Sequence, residues 1–239
     1  MTSPFALHID KNTIQTLPLT SFEGEVIIVD LPEKVQEAVE YLGQFAVLGV
    51  DTEARPSFKR GVHYPTALVQ VSTMERCYLF RLTHVGMPKE LAQIFANPNI
   101  CKVGLAFKDD INGLRRRREF KPANCIDLQS MVCKYGIMEM GLQKIFAIIF
   151  GKKISKAQQL TNWENSHLTD EQARYASTDA WATLSIYLAL QQVKPLSKRA
   201  VEALKRAEKE KQIQRQQEAL AKKCAESTPP LTSHLSPLT

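Results

Sequence analysis

Little in this sequence ties it to an oxidising compartment, a structural zinc or a bilayer. Its five cysteines, Cys77, Cys101, Cys125, Cys133 and Cys224, form no CxxC pair and leave an odd one over, which argues against a disulfide framework. The five histidines are scattered, so a zinc site of Cys and His ligands is not expected. The longest apolar run, IFAIIF from Ile145 to Phe150, is far too short to span a membrane. No signal-peptide pattern is visible in MTSPFALHID. These absences lead us to expect a soluble cytoplasmic protein with no membrane partner. There is no internal repeat.

What is present suits a soluble globular protein. The 239 residues are 44% hydrophobic and 23% charged, ordinary for a soluble domain large enough to bury a core. A formal net charge of +6 is compatible with a polyanionic partner, though charge alone does not identify one.

Along the chain, DLPEKVQEAVEYLGQF reads as a helix with Val35, Ala38, Val39 and Leu42 on its apolar stripe. Asp30 and Glu33 resemble a capping box before it. AVLGVDTEA, ALVQVST and CYLFRL read as three consecutive strands. PKELAQIFANPN is helical, ICKVGLAF a strand, DDINGLRRRR a helix, and NCIDLQ a last short strand. From GLQKIFAIIFG onward the pattern is helical. The order argues for an α/β domain on a mixed sheet of five strands. A boundary is expected near Pro195, dividing residues 1–195 from a charged helix and disordered tail at 196–239. With no further module after that tail, a stand-alone domain is expected.

The chemistry resides in carboxylates. In GVDTE, Asp51 and Glu53 stand two apart on a strand, so both face one side while Thr52 faces the other. Two acids on one face of a central strand need a cation to neutralise them; two acids at an exposed strand end would look the same. In KVGLAFKDDINGL, a helix whose buried stripe is Phe107, Ile111 and Leu114 turns Asp109 away from the core and puts Asp110 at its border. In LTDEQARYASTDAWATLSIY, Thr169 and Gln172 form a capping box, and Tyr175 and Asp179 stand one turn apart on the same face.

Asp51-x-Glu53, Asp110 in VGLAFKDD and Tyr175-xxx-Asp179, in that order on those elements, resemble the motifs of the DEDDy 3′–5′ exonucleases. The resemblance runs from about Ile27 to Val193 and is nearest to the Werner-type exonuclease domains and ribonuclease D. It implies a ribonuclease H-like fold, its mixed five-stranded sheet with three strands antiparallel and then two parallel, and hydrolysis of terminal phosphodiesters at a single-stranded 3′ end, releasing nucleoside 5′-monophosphates. DNA is ranked ahead of RNA, with ribonuclease D-like RNA processing the alternative and an inactive nucleic-acid binding module a third reading. It also implies two divalent cations, Mg²⁺ or Mn²⁺. Asp51 bridges them, Glu53 and Asp179 hold the one that activates water, and Asp110 supports the second. Tyr175 orients the attacking water. Where Werner-type domains have an aromatic after the first motif, this sequence has Ala54. The basic run Arg115–Arg118, with Lys59, Arg60, Lys152, Lys153 and Lys156, supplies candidate phosphate contacts. Trp163 is expected to be a packing anchor.

Overall fold

The computed structural model describes residues 3–226. The chain divides into two compact units, Met1–Leu196 and Ser197–Thr239. The first begins with a short helix α1 (Lys11–Thr16), capped by the Asp10 carboxylate on the Thr13 amide at 2.9 Å. Strand β1 (Glu25–Val29), helix α2 (Glu33–Leu42) and the strands β2 (Val47–Ala54), β3 (Thr66–Ser72) and β4 (Arg76–Arg81) follow. Then come α3 (Leu82–Val85), α4 (Lys89–Ala96), β5 (Cys101–Gly104), α5 (Phe107–Arg117), β6 (Cys125–Asp127), α6 (Leu128–Val132), α7 (Leu142–Phe150) and α8 (Asp170–Gln191). The second unit holds α9 (Lys198–Glu226). The disorder expected for STPPLTSHLSPLT falls outside the described residues.

The mixed α/β class is as expected, with one strand more. The sheet order is β1-β4-β3-β2-β5-β6. Strands β2, β3 and β4 run antiparallel in sequence, and β5 and β6 lie parallel to β2. The sixth strand, β1, pairs in parallel with β4 at the edge. Its five residues EVIIV alternate too little to separate a strand from a helix start. Two further readings are corrected. Asp30 and Glu33 form no capping box: α2 begins on Pro32 without a side-chain cap, and Asp30 pairs with Lys34 at 2.8 Å. The stretch after α7 is not helical either. Gly151 ends that helix in a left-handed conformation (φ 62°), and 152–168 form a loop containing turns and bends that buries Ile154 and Trp163.

Alternation along the central strands divides the core into two faces. Leu48, Val50, Val69 and Val71 meet residues of α2, α4 and α5. On the other face α8 lies against the sheet through Ala176 and Ala180, with α7 packed beside it through Phe146. Gly49 lets α8 approach, since a Cβ there would sit 2.1 Å from the Ala180 carbonyl oxygen. This contact fixes how near the C-terminal half of β2 comes to Asp179. The described cysteines Cys77, Cys101, Cys125 and Cys133 are free. Among the described residues, no helix is long and apolar enough to cross a membrane.

Candidate active site

Asp51 and Glu53 project from β2 toward α8 because period two puts both on the face that Gly49 opens. Asp179 comes from α8, whose start is held by the full capping box of Thr169 and Gln172. One oxygen from each of the three carboxylates lies within 4.8 Å of the others. They open into a cleft of about 310 Å³ whose far wall is formed by Gln143, Ser155, Lys156 and Gln159. Tyr175, one turn before Asp179, borders the same cleft and is 8% exposed. Its phenol lies one turn from the Asp179 carboxylate, whose charge acts on it. Behind it Trp163 is fully buried, its ring centroid 6.0 Å from that of Tyr175.

Asp110 stands apart from the three. The Thr52 hydroxyl donates to its Oδ1 at 2.5 Å, across the face of β2 that Asp51 and Glu53 leave. Its charge still reaches Asp51 and Glu53. Asp109, by contrast, is exposed. The turn into α5 is held by Asp127, whose carboxylate accepts from the amides of Ala106 and Phe107 at 3.1 Å each. Ala106 there adopts a left-handed conformation (φ 54°).

Crowding like charges in a desolvated cleft raises every acid in it. Burial lifts Asp51 well above the carboxylate range, and the charges of Asp179, Glu53 and Asp110 add to it. Burial and then Asp179 and Asp110 push Glu53 to about 9. Burial carries Asp179 to about 7, against the Tyr175 hydroxyl and the Lys156 charge. Asp110 rises to about 6, chiefly through burial. Burial and then the charge of Asp179 lift the Tyr175 phenol, so it stays protonated at neutral pH.

An all-oxygen set of mutually repelling carboxylates fits a hard divalent cation. The same repulsion makes a checkable signature. Between about pH 5 and 9 the folded metal-free protein keeps protons that the unfolded chain has released, so stability falls as pH rises through this window. Each retained proton costs about 1.4 kcal/mol per pH unit, or about 3–6 °C in a domain of this size. Thermal melts of the metal-free protein are expected to show this decline. Added Mn²⁺ is expected to raise the melting temperature more at pH 8 than at pH 6. A melting temperature that ignores metal at both pH values would contradict the assignment.

Other candidates separate clearly. In the run Arg115–Arg118, Arg115 pairs with Glu119, Arg117 donates to the Leu82 carbonyl at 3.3 Å, and Arg118 donates to the Met87 carbonyl at 2.6 Å. Arg117 and Arg118 thus tie α5 to neighbouring segments, while Arg115 forms a surface ion pair. Lys153 donates to the Gln15 carbonyl. Lys156 faces the cleft. Its loop is pinned by the buried Arg81, which donates to the carbonyls of Asn165 and Ser166, and by Gln143, which donates to the Ile154 carbonyl. Gln143 and Gln159 were not anticipated, since only tertiary folding brings α7 and this loop over β2. Gln70, paired with Asp51 across β3, was not anticipated either. It is fully buried with both side-chain polar atoms unpartnered.

The family model described as 3′–5′ exonuclease matches residues 26–194. Mouse bifunctional 3′–5′ exonuclease/ATP-dependent helicase WRN is 28% identical over 193 residues, covering 75% of this chain and 14% of its own length. The Nibbler EXO domain of Aedes aegypti superposes with a TM-score of 0.66 at 21% identity, over 77% of this chain and 99% of that one. A Trypanosoma brucei RNase D in complex with RNA U12 gives 0.65 at 21% identity, over 72% and 64% respectively. The chain thus spans a small part of the mouse protein.

Proposed function

We propose that this chain, which belongs to the 3′–5′ exonuclease family over residues 26–194, hydrolyses the terminal phosphodiester of a single-stranded DNA 3′ end and releases nucleoside 5′-monophosphates with the help of two divalent ions. The observation that carries this reading is the convergence of Asp51, Glu53 and Asp179 within 4.8 Å beside the Tyr175 phenol. Asp51, Glu53 and Asp179 would hold one ion, and Asp110 would lend its charge to the second. Bound Mg²⁺ or Mn²⁺ supplies charge neutralisation for these acids and the phosphate, and makes water a usable nucleophile near neutral pH.

The protein groups have separate tasks. Tyr175 is a poor base because its phenol is held protonated. Its hydroxyl, on the same cleft as Asp179, orients the attacking water. Lys156 stands across the cleft as a cation for the scissile phosphate. DNA is placed ahead of RNA on the likeness of the motifs to the Werner-type domains, and the RNA-bound trypanosome RNase D keeps RNA as the alternative.

The test is a gel assay with 5′-labelled single-stranded DNA, partial duplex and RNA in Mg²⁺ or Mn²⁺. A ladder shortening from the 3′ end, abolished by chelation, is expected, with single-stranded DNA consumed fastest. Faster loss of RNA would reassign the substrate. Binding without digestion in every lane would turn the reading to a nucleic-acid binding module. Tyr175→Phe is expected to lower kcat about a hundredfold while keeping the metal-induced rise in melting temperature. A Phe variant with unchanged kcat would remove the orienting role.

A further inference from the structure

Past the carboxylates, the chain exposes side chains that hydrolysis itself does not use. Strand β2 ends at Ala54, and residues 55–65 run as a loop with a turn at Lys59–Val62 closed by a 3.2 Å hydrogen bond. Phe58 at its tip is 85% exposed, and Leu160 opposite is 68% exposed. Together with Tyr64 they line an open cleft of about 400 Å³. Arg55 lies 4.9 Å above the Tyr64 ring centroid and 3.7 Å from Glu164, so this aromatic face carries a fixed guanidinium. Lys59 and Arg60 are exposed on the same turn.

One exposed phenylalanine is unremarkable on a protein surface. This one is informative because of its position. Its cleft adjoins the carboxylate cleft along the chain on two sides: Arg55 lies two residues past Glu53, and Leu160 directly follows Gln159. A strand whose last phosphate lies at the carboxylates needs to cross only these short segments to reach Phe58. Along it, aromatic faces suit bases and cations suit the phosphates between them. Single-stranded nucleic acid is bound by this combination, and stacking does not depend on base identity.

The geometry points to the loop 55–65 and Leu160 as the grip for the single-stranded segment upstream of the scissile bond. Phe58 and the Tyr64–Arg55 pair stack on bases, and Lys59 and Arg60 contact phosphates. The inference rests on the nuclease reading above and assigns that site its upstream subsite.

The test is fluorescence anisotropy with a 5′-fluorescein single-stranded DNA 12-mer and the full chain in EDTA, across a salt series. Phe58→Ala is expected to weaken Kd about tenfold at every salt concentration, leaving the salt slope unchanged, and Phe58→Trp is expected to restore binding. Lys59→Ala with Arg60→Ala is expected to reduce the slope of log K against log salt by about 1.4, from two lost phosphate contacts. Phe58 is solvent-exposed, so these variants should fold, which circular dichroism checks. Equal binding by wild type and Phe58→Ala, or no binding by wild type, overturns the grip; the patch would then be assigned to a protein partner. Phe58-dependent binding without digestion in Mn²⁺ would instead sink the nuclease reading and keep the grip.

Discussion

Replacing Asp51 with asparagine is expected to lower kcat by about a thousandfold and, in the same molecule, to raise the melting temperature of the metal-free protein. The two effects share one cause. Asp51 is crowded by Glu53, Asp179 and Asp110 in a desolvated site, and its carboxyl is driven well above its ordinary range. Asparagine keeps the shape and removes the charge. Metal-free protein therefore loses a source of repulsion, and the gain should grow as pH rises and the remaining acids ionise. With Mn²⁺ present the order reverses, because the wild-type site has more charge to offer the ion. Nucleotide release measured by chromatography, beside melts with and without Mn²⁺, checks both halves. Near wild-type turnover, or a metal-induced stabilisation equal to that of wild type, would remove Asp51 from the site.

Much of this site was legible because its residues lie on regular elements. Period two put Asp51 and Glu53 on one face, and the turn of a helix separated exposed Asp109 from half-buried Asp110. The pairing of Thr169 with Gln172 marked where α8 begins, and hence where Tyr175 and Asp179 stand. Asp30 and Glu33 show the limit of such reading: a local cap was expected, but Pro32 starts the helix and Lys34 takes the carboxylate. What could not be read was long-range. Thr52 was expected to face away from the acids, and it does, yet on that side it holds Asp110 from a helix 58 positions along. Lys156 and Gln159 reach the cleft because Arg81 and Gln143 pin their loop, a contact with no local pattern. Three of the four arginines in the basic run, which charge alone offered to phosphate, are engaged by Glu119 and two backbone carbonyls.

The same reasoning locates a residue without chemistry of its own on which the site depends. Gly49→Ala is expected to destabilise the protein by about 3 kcal/mol, or about 6–12 °C, and to lower kcat about a hundredfold well below the melting transition. The added Cβ would lie 2.1 Å from the Ala180 carbonyl oxygen, 2.8 Å from the Leu184 Cβ and 3.0 Å from the Thr183 hydroxyl. Two of these atoms belong to the body of α8, so no flexible side chain can yield and the helix itself must move. Ala180 follows Asp179 directly, and Gly49 precedes Asp51 by two on the same face of β2. Any shift that relieves the clash therefore widens the distance between the carboxylates that converge within 4.8 Å. Assays at 15 °C separate geometry from unfolding, because a variant that is still folded but slow has lost the convergence and not the fold. A folded Gly49→Ala protein with wild-type kcat and an unchanged response to Mn²⁺ would show that the site tolerates a displaced α8. The spacing set by Gly49 would then have no catalytic consequence.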